Sequence, residues 1–197
     1  MENQFEKLGL DVEFFKACDG KEVGKDGKFG CGQSHLWIYD DILKKGYNNA
    51  IIFEDDAILC SNLKEEIEEL PEPPEDWDIF YLIKYAEIKE STVGIFNKGK
   101  CLSTSGYIIS NKGCSKVSNF RAEDIGHIDV FLANLPLKSY YIDKSFGICN
   151  LPGGFSSTIG FNWDLECYFY FFRFIIEIFK CAVNFIIKKS KKLIDGL

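Results

Sequence analysis

Three acids stand in a row, Glu54, Asp55 and Asp56, between two apolar runs in the segment NNAIIFEDDAIL at 48–59. Side chains alternate on extended backbone, so Glu54 and Asp56 are expected on one side and Asp55 on the other. Two carboxylates on one side of a strand end can share a hard cation, Mn2+ or Mg2+, that keeps positions open for phosphate oxygens. The competing reading is a solvated acidic turn, the commoner fate of a charge run. Against it, the acids follow AIIF and precede AIL, and burying them without a cation would be costly. From spacing alone both readings stay open.

Three further groups carry chemistry. In FGCGQSH at 29–35, His35 near a helix start would be held neutral by the helix dipole, ready to bond an acid or a phosphate; a purely structural histidine is an equal alternative. In TSGYIIS at 104–110, Gly106 permits close backbone approach. In RAEDIGHIDVF at 121–131 three acids, Glu123, Asp124 and Asp129, surround a histidine, His127. The eight cysteines are scattered, with no CxxC pair and only two histidines in the chain. That pattern argues against a structural zinc site and for reduced, buried thiols, Cys31 among them.

The elements that must hold these residues alternate in type. Helices are expected at Asn3–Leu8, Ser34–Lys45 (capped by Ser34 and ended by Gly46), 61–70, Lys112–Asn119 and Ile128–Asn134. Strands are expected at Leu10–Ala17, Asn49–Leu59, Asp78–Ile83, 101–110 and Lys138–Ile142, with a glycine-rich loop over Cys18–Gly32. Such alternation predicts an α/β domain with a mostly parallel mixed sheet, and in such sheets ligands sit beyond the carboxyl ends of the strands. The acid triplet is at one of those ends. One domain over 1–160 accounts for the pattern, followed by a distinct segment at 161–197.

Four motifs occur in order: FGCGQSH at 29–35, NNAIIFEDDAIL at 48–59, WDIFYL at 77–82 and TSGYIISNKGCSK at 104–116. With the later pair Ile128-Asp129, the series resembles glycosyltransferase family 25, which includes bacterial lipooligosaccharide galactosyltransferases and collagen galactosyltransferases. The resemblance runs from about residue 5 to about residue 160. It implies a GT-A (Rossmann-like) fold, a UDP-sugar donor, often UDP-galactose, a Mn2+-type metal, a glycan or glycoprotein acceptor, and inversion at the anomeric carbon. By motif, Glu54 and Asp56 with Asp55 match the metal and diphosphate positions. Gly30, Ser34 and His35 match the segment beside the donor, and Thr104, Gly106 and Tyr107 the sugar side of the pocket. Inversion needs a base within reach of the acceptor hydroxyl. Asp129 matches the family's Ile/Val-Asp position, with His127 and Asp124 as alternatives. A non-catalytic sugar- or protein-binding relative is the rival reading; an unrelated Mg2+ phosphotransfer enzyme is weaker, because no P-loop or kinase motif is present.

The family's opening strand and its arginine-containing turn are absent from these 197 residues, so a domain lacking its first strand is expected. The start MENQFEKLGLDVEFF has neither the basic start nor the apolar core of a signal peptide. With the reduced thiols, this points to a cytoplasmic protein. Over 166–192, charged and polar residues recur at three- to four-residue steps along an intensely apolar stretch with a basic end. That pattern predicts an amphipathic helix on an anionic membrane surface, a peripheral attachment and not a span. The net charge of −7 argues against a nucleic-acid partner.

Overall fold

Alternate residues of each central strand point to opposite faces, and both faces are apolar here, so helices must cover both. The computed structural model describes residues 2–150, apart from 75, 85, 144, 145 and 147. In chain order the elements are α1 (Glu2–Leu8), α2 (Gly27–Lys45), β1 (Asn49–Phe53), β2 (Ala57–Leu59), α3 (Leu63–Glu68), β3 (Ile79–Tyr81), β4 (Ala86–Val93), β5 (Phe96–Leu102), β6 (Gly106–Ser110), α4 (Asn111–Val117), α5 (Ile128–Asn134), β7 (Ser139–Tyr141) and β8 (Ile148–Asn150). Single 3-10 turns lie at Lys21–Val23 and Ala122–Asp124.

Six strands form one sheet in the order β1-β6-β3-β7-β5-β4, and β2 pairs with β8 in a separate ladder. Ile79, Tyr81, Tyr107, Ile109 and Tyr141 pack beneath α2, α4 and α5, with Leu36, Tyr39, Ile42, Val117 and Leu132. The intervening Phe80, Ile108 and Tyr140 pack on the other face with Leu63 of α3 and, at its margin, Leu8 of α1. Each central strand therefore feeds two cores.

The mixed α/β class agrees with the sequence, but the expected parallel character does not. Among the described residues only β3 and β7 pair in parallel; the other pairings are antiparallel. The reason is the β4–β5 hairpin, which turns back through Gly94 at φ +60°, and the insertion of β6 between β1 and β3. The sequence reading missed β4 and all of β5 but its last two residues, which it placed in one strand with β6 over 101–110. Glu87–Val93 is exposed throughout, so β4 has no apolar stripe to detect. Even so, β1, β3 and β7 all run the same way, and their carboxyl ends share one edge. β1 is the sheet's edge strand and half exposed, not the buried strand that NAIIF implied.

Three further expectations change. Leu10–Ala17 is irregular and largely exposed, not a strand. The glycine-rich loop ends early: Asp26 caps α2 by accepting the Phe29 N–H at 2.9 Å, so Ser34 is inside the helix and is not its cap. Glycine costs a helix about 1 kcal/mol relative to alanine, but here its missing side chain is used. A Cβ on Gly30 would lie 2.6 Å from the Cys18 carbonyl oxygen, and one on Gly32 would press on Ile125. Tertiary packing outweighs propensity. The segments expected at 161–197, including the amphipathic helix over 166–192, lie outside the described residues. No described helix is long and apolar enough to cross a membrane.

Asp78 anchors the middle of the sheet. It is fully buried, and its Oδ2 accepts from the Lys138 backbone N–H at 2.7 Å and from Lys116 Nζ at 2.5 Å. Its carbonyl accepts the Ser110 N–H at 2.9 Å. Asp78→Ala strands a buried N–H and a lysine, so urea unfolding should show a loss of about 2–4 kcal/mol. An unchanged midpoint would mean that water replaces the carboxylate without cost.

Candidate functional site

The acid triplet is a turn, not the end of a strand. The Ala57 N–H donates to the Glu54 carbonyl at 3.2 Å, which closes Glu54–Ala57 into a β-turn and separates β1 from β2. Extended alternation therefore does not apply, and the prediction that Glu54 and Asp56 share a side loses its premise. The turn lies at the carboxyl edge of β1, where the Glu54 N–H donates to the Ser105 carbonyl at 3.2 Å. This carries the β1–β6 register one step past the Phe53↔Gly106 pair.

That register sets Thr104 and Ser105 opposite Glu54. Thr104 Oγ1 donates to Glu54 Oε1 at 2.7 Å and Ser105 Oγ to Oε2 at 3.3 Å. On α2, Cys31, His35 and Tyr39 fall at four-residue steps and form one stripe. His35 Nε2 lies 3.5 Å from Glu54 Oε1, and Nδ1 lies 2.7 Å from the Tyr107 hydroxyl, which is 2.7 Å from that of Tyr39. A carboxylate only accepts, so Nε2 carries the proton toward Glu54. In a neutral His35, Nδ1 then accepts from Tyr107, and Tyr107 from Tyr39.

The three acids occupy different environments. Burial pushes the Glu54 carboxyl up, but His35 first, then Thr104 and Ser105, outweigh it and hold it below the ordinary value. Asp55 is exposed. Asp56 is half buried, its Oδ1 has no hydrogen-bond partner among the described residues, and burial, then Glu54 and Asp55, push its carboxyl up to about 6. Burial and the charges of Glu54, Asp129, Asp56 and Asp55 raise the Cys31 thiol to about 12. Burial also keeps Tyr39 and Tyr107 as phenols.

A hard cation needs oxygen atoms that the protein has not already used. Asp56 supplies one and Asp55 faces solvent, whereas the Glu54 carboxylate turns toward Thr104, Ser105 and His35, and what acceptor capacity it keeps faces α2. The acid turn thus fits such an ion through its two aspartates, with Glu54 as their anchor.

The other sequence-predicted residues divide. Gly106 begins β6, and its carbonyl accepts the N–H groups of Leu82 and Ile83 at 3.1 and 3.3 Å. Gly30 and Ser34 serve the loop before α2: Ser34 Oγ accepts the Cys18 N–H at 2.8 Å and donates to the Gly30 carbonyl at 2.7 Å. Asp129 lies in the first turn of α5, close enough for its charge to act on Cys31 and Tyr81. His127, at the N-cap of α5, and Asp124 are exposed. Sequence reasoning assigned Tyr39 no role; its four-residue step from His35 was the available signal. Cys18, Cys31, Cys101 and Cys114 are free thiols among the described residues, in keeping with their scattered spacing.

Comparison with known proteins agrees with the motif series. The sequence model of Glycosyltransferase family 25 (LPS biosynthesis protein) matches residues 25–97, which include α2 and the acid turn. A Glycosyltransferase 25 family member of Aedes aegypti is 25% identical over 150 residues, 59% of this chain and 25% of that protein. A Probable inactive glycosyltransferase 25 family member 3 of Bos taurus is 31% identical over 122 residues, 56% of this chain and 20% of its own length. Procollagen galactosyltransferase 1 of Danio rerio is 26% identical over 136 residues, 62% of this chain and 22% of its own. The chain thus matches a quarter or less of the length of these relatives.

The turn's electrostatics can be tested without any substrate. A free aspartate titrates near about 3.9, so folded Asp56 holds its proton more tightly than the unfolded chain does. The charged form therefore costs stability above pH about 6, and the cost fades as pH falls toward 4. In chelator-treated protein, Asp56→Asn should raise stability at pH 7.5 by about 1–2 kcal/mol after allowance for solvent screening, and by nothing near pH 3.5. A gain that is the same at both pH values would mean that Asp56 is not strained by its charge.

Proposed function

Starting from a chain related to the glycosyltransferase 25 proteins, we propose that it transfers a hexose from a UDP-sugar to a glycan or glycoprotein acceptor, with inversion, on a GT-A-like domain. Galactose is the hexose favoured by likeness to the zebrafish relative, whose name is that of a galactosyltransferase. The observation that carries the reading is the buried, unpartnered Asp56 Oδ1 on a turn pinned by Glu54. A protein that binds nothing there would gain by losing that acid.

In this reading Asp55 and Asp56 hold Mn2+ or Mg2+, which when bound would neutralise charge on the donor's diphosphate. Glu54 keeps the turn at the carboxyl edge of β1, β3 and β7. Thr104 and Ser105 remain on Glu54, and Tyr107 keeps the His35 ring in place from below. Asp129 is the base: it is half buried, its charge is felt at Cys31 and Tyr81, and it would take the acceptor hydroxyl's proton as the sugar is transferred. His127, two residues away and exposed, is the alternative.

A second reading has its own support, since the cattle relative is named probably inactive. In that case the same pocket would bind a sugar or a protein without transfer. UDP release from a panel of UDP-sugars, with and without Mn2+, separates the two. The transferase reading expects Mn2+-dependent release with at least one donor, and no release with any of them would favour the binding protein.

Two variants test the roles. Asp55→Asn with Asp56→Asn should abolish Mn2+-dependent UDP binding, followed by calorimetry, while circular dichroism stays unchanged; retained binding removes the acid turn from the donor site. Asp129→Asn should lower transfer about 10²-fold or more with donor affinity kept, the scale of a lost general base. Undiminished turnover would move that role to His127 or Asp124.

A further inference from the structure

Beneath the acid turn, Cys31, His35 and Glu54 each offer one ligand atom, and the three atoms all lie within 4.8 Å of one another. This set of one sulfur, one imidazole nitrogen and one carboxylate oxygen differs in chemistry from the turn above it. Thiolate and imidazole select zinc-class cations, whereas Mn2+ and Mg2+ prefer oxygen. Tetrahedral zinc with bonds of about 2.0–2.3 Å places its ligand atoms about 3.5 Å apart. His35 Nε2 and Glu54 Oε1 are already 3.5 Å apart. The remaining closure is a shift of about 1 Å by the Cys31 side chain, within reach of a small χ1 change.

The supporting shell is already in place. Ligating histidines usually give their other ring nitrogen to a fixed partner, and ligating carboxylates are themselves hydrogen-bonded. Here His35 Nδ1 is held by Tyr107, which is held by Tyr39. Glu54 is held by Thr104 and Ser105. The ligands come from α2 and from the end of β1, so a bound ion would tie the helix to the sheet edge that carries the acid turn. Scattered cysteines seemed to exclude zinc, but that inference covers sites built from paired cysteines. A four-residue step on a helix facing a carboxylate on a strand leaves no such spacing.

We propose that Cys31, His35 and Glu54 form a binding site for one thiophilic divalent cation of the zinc class, distinct from the hard-cation role of Asp55 and Asp56. On binding, the Cys31 thiol releases its proton to solvent. His35 takes its other tautomer, with the proton moved from Nε2 to Nδ1, where it donates to the Tyr107 hydroxyl while Tyr107 donates to Tyr39. Glu54 and Nε2 then exchange their mutual contact for the metal, and the fourth coordination position stays open to water.

Co2+ is the probe, because a thiolate ligand gives it a charge-transfer band in the near ultraviolet and a tetrahedral field gives it strong visible absorption. The full 197-residue chain should bind one equivalent of Co2+ with both signatures, displaced by one equivalent of Zn2+. Cys31→Ser should lose the charge-transfer band, while Cys18→Ser, a free thiol outside the set, should keep it. Tyr107→Phe should weaken Co2+ affinity about 10-fold or more through loss of the His35 support. Circular dichroism of each variant identifies a loss caused by unfolding, and in that case His35→Gln replaces the failed variant with the same expected loss of affinity. An octahedral spectrum, or a band that survives Cys31→Ser, overturns the proposal. No donor sugar enters the measurement, so its result is independent of whether the chain proves to be a transferase.

Discussion

A carboxylate taken out of water must be repaid by hydrogen bonds or by charge, and Glu54 places that demand at the junction of three elements. Its backbone N–H extends the β1–β6 ladder to Ser105. Its side chain takes the hydroxyls of Thr104 and Ser105, and His35 reaches it from α2. A one-residue slip of β1 against β6 would turn Glu54 to the other face and leave all three donors facing apolar side chains. Glu54 therefore fixes the register of an edge strand that has little burial of its own. It also fixes the rotation of α2, since only one helical stripe presents His35. Through Tyr107 and Tyr39 the constraint passes into the main core, where both phenols are fully buried.

The same carboxylate shapes the acids beside it. Partners stabilise the Glu54 anion, and that anion then raises the cost of ionising Asp56. Titratable groups that environment pushes apart in this way take different tasks. Glu54 is a permanent anion that holds structure. Asp56 keeps its proton up to pH about 6 and at neutral pH is an anion at a cost, which a cation in its place would relieve. The division follows from burial and hydrogen bonding within three consecutive residues, not from residue type.

Local pattern alone made several features legible. The helix at Ile128–Asn134 matches α5 residue for residue, since its apolar positions, Ile128 and Leu132, are one turn apart. The strands near Asp78 and Lys138 were legible because each carries a short run of apolar and aromatic residues, IFYLI at 79–83 and YYI at 140–142. The glycine-rich start of α2 was not, because what stabilises it is the close approach of Cys18 and Ile125, which no local pattern records. Nor was the turn at the acids: NAIIFEDDAIL reads as one strand, and only the pairing of β1 with β6 and of β2 with β8 divides it. The site residues were found by their types and by motif order, but their grouping around Glu54 depends on a register that sequence does not print.

The relatives include one named as a galactosyltransferase and others named as inactive, so likeness alone does not choose between them; the energetic cost of the acid turn is what supports the proposed function. The network of Glu54, His35, Thr104, Ser105 and Tyr107 is satisfied internally and serves the fold. A relative without activity would keep it for stability alone, and its presence here says nothing about catalysis. Asp55 and Asp56 are different. They add negative charge to a turn that already carries one buried carboxylate, and Asp56 leaves a buried oxygen unpaired among the described residues. Most substitutions destabilise, and residues that cost stability persist where function requires them. Asparagine at position 56 would remove the charge at no cost in size. A chain that retains aspartate there retains a penalty that a bound cation, in the function proposed above, would offset.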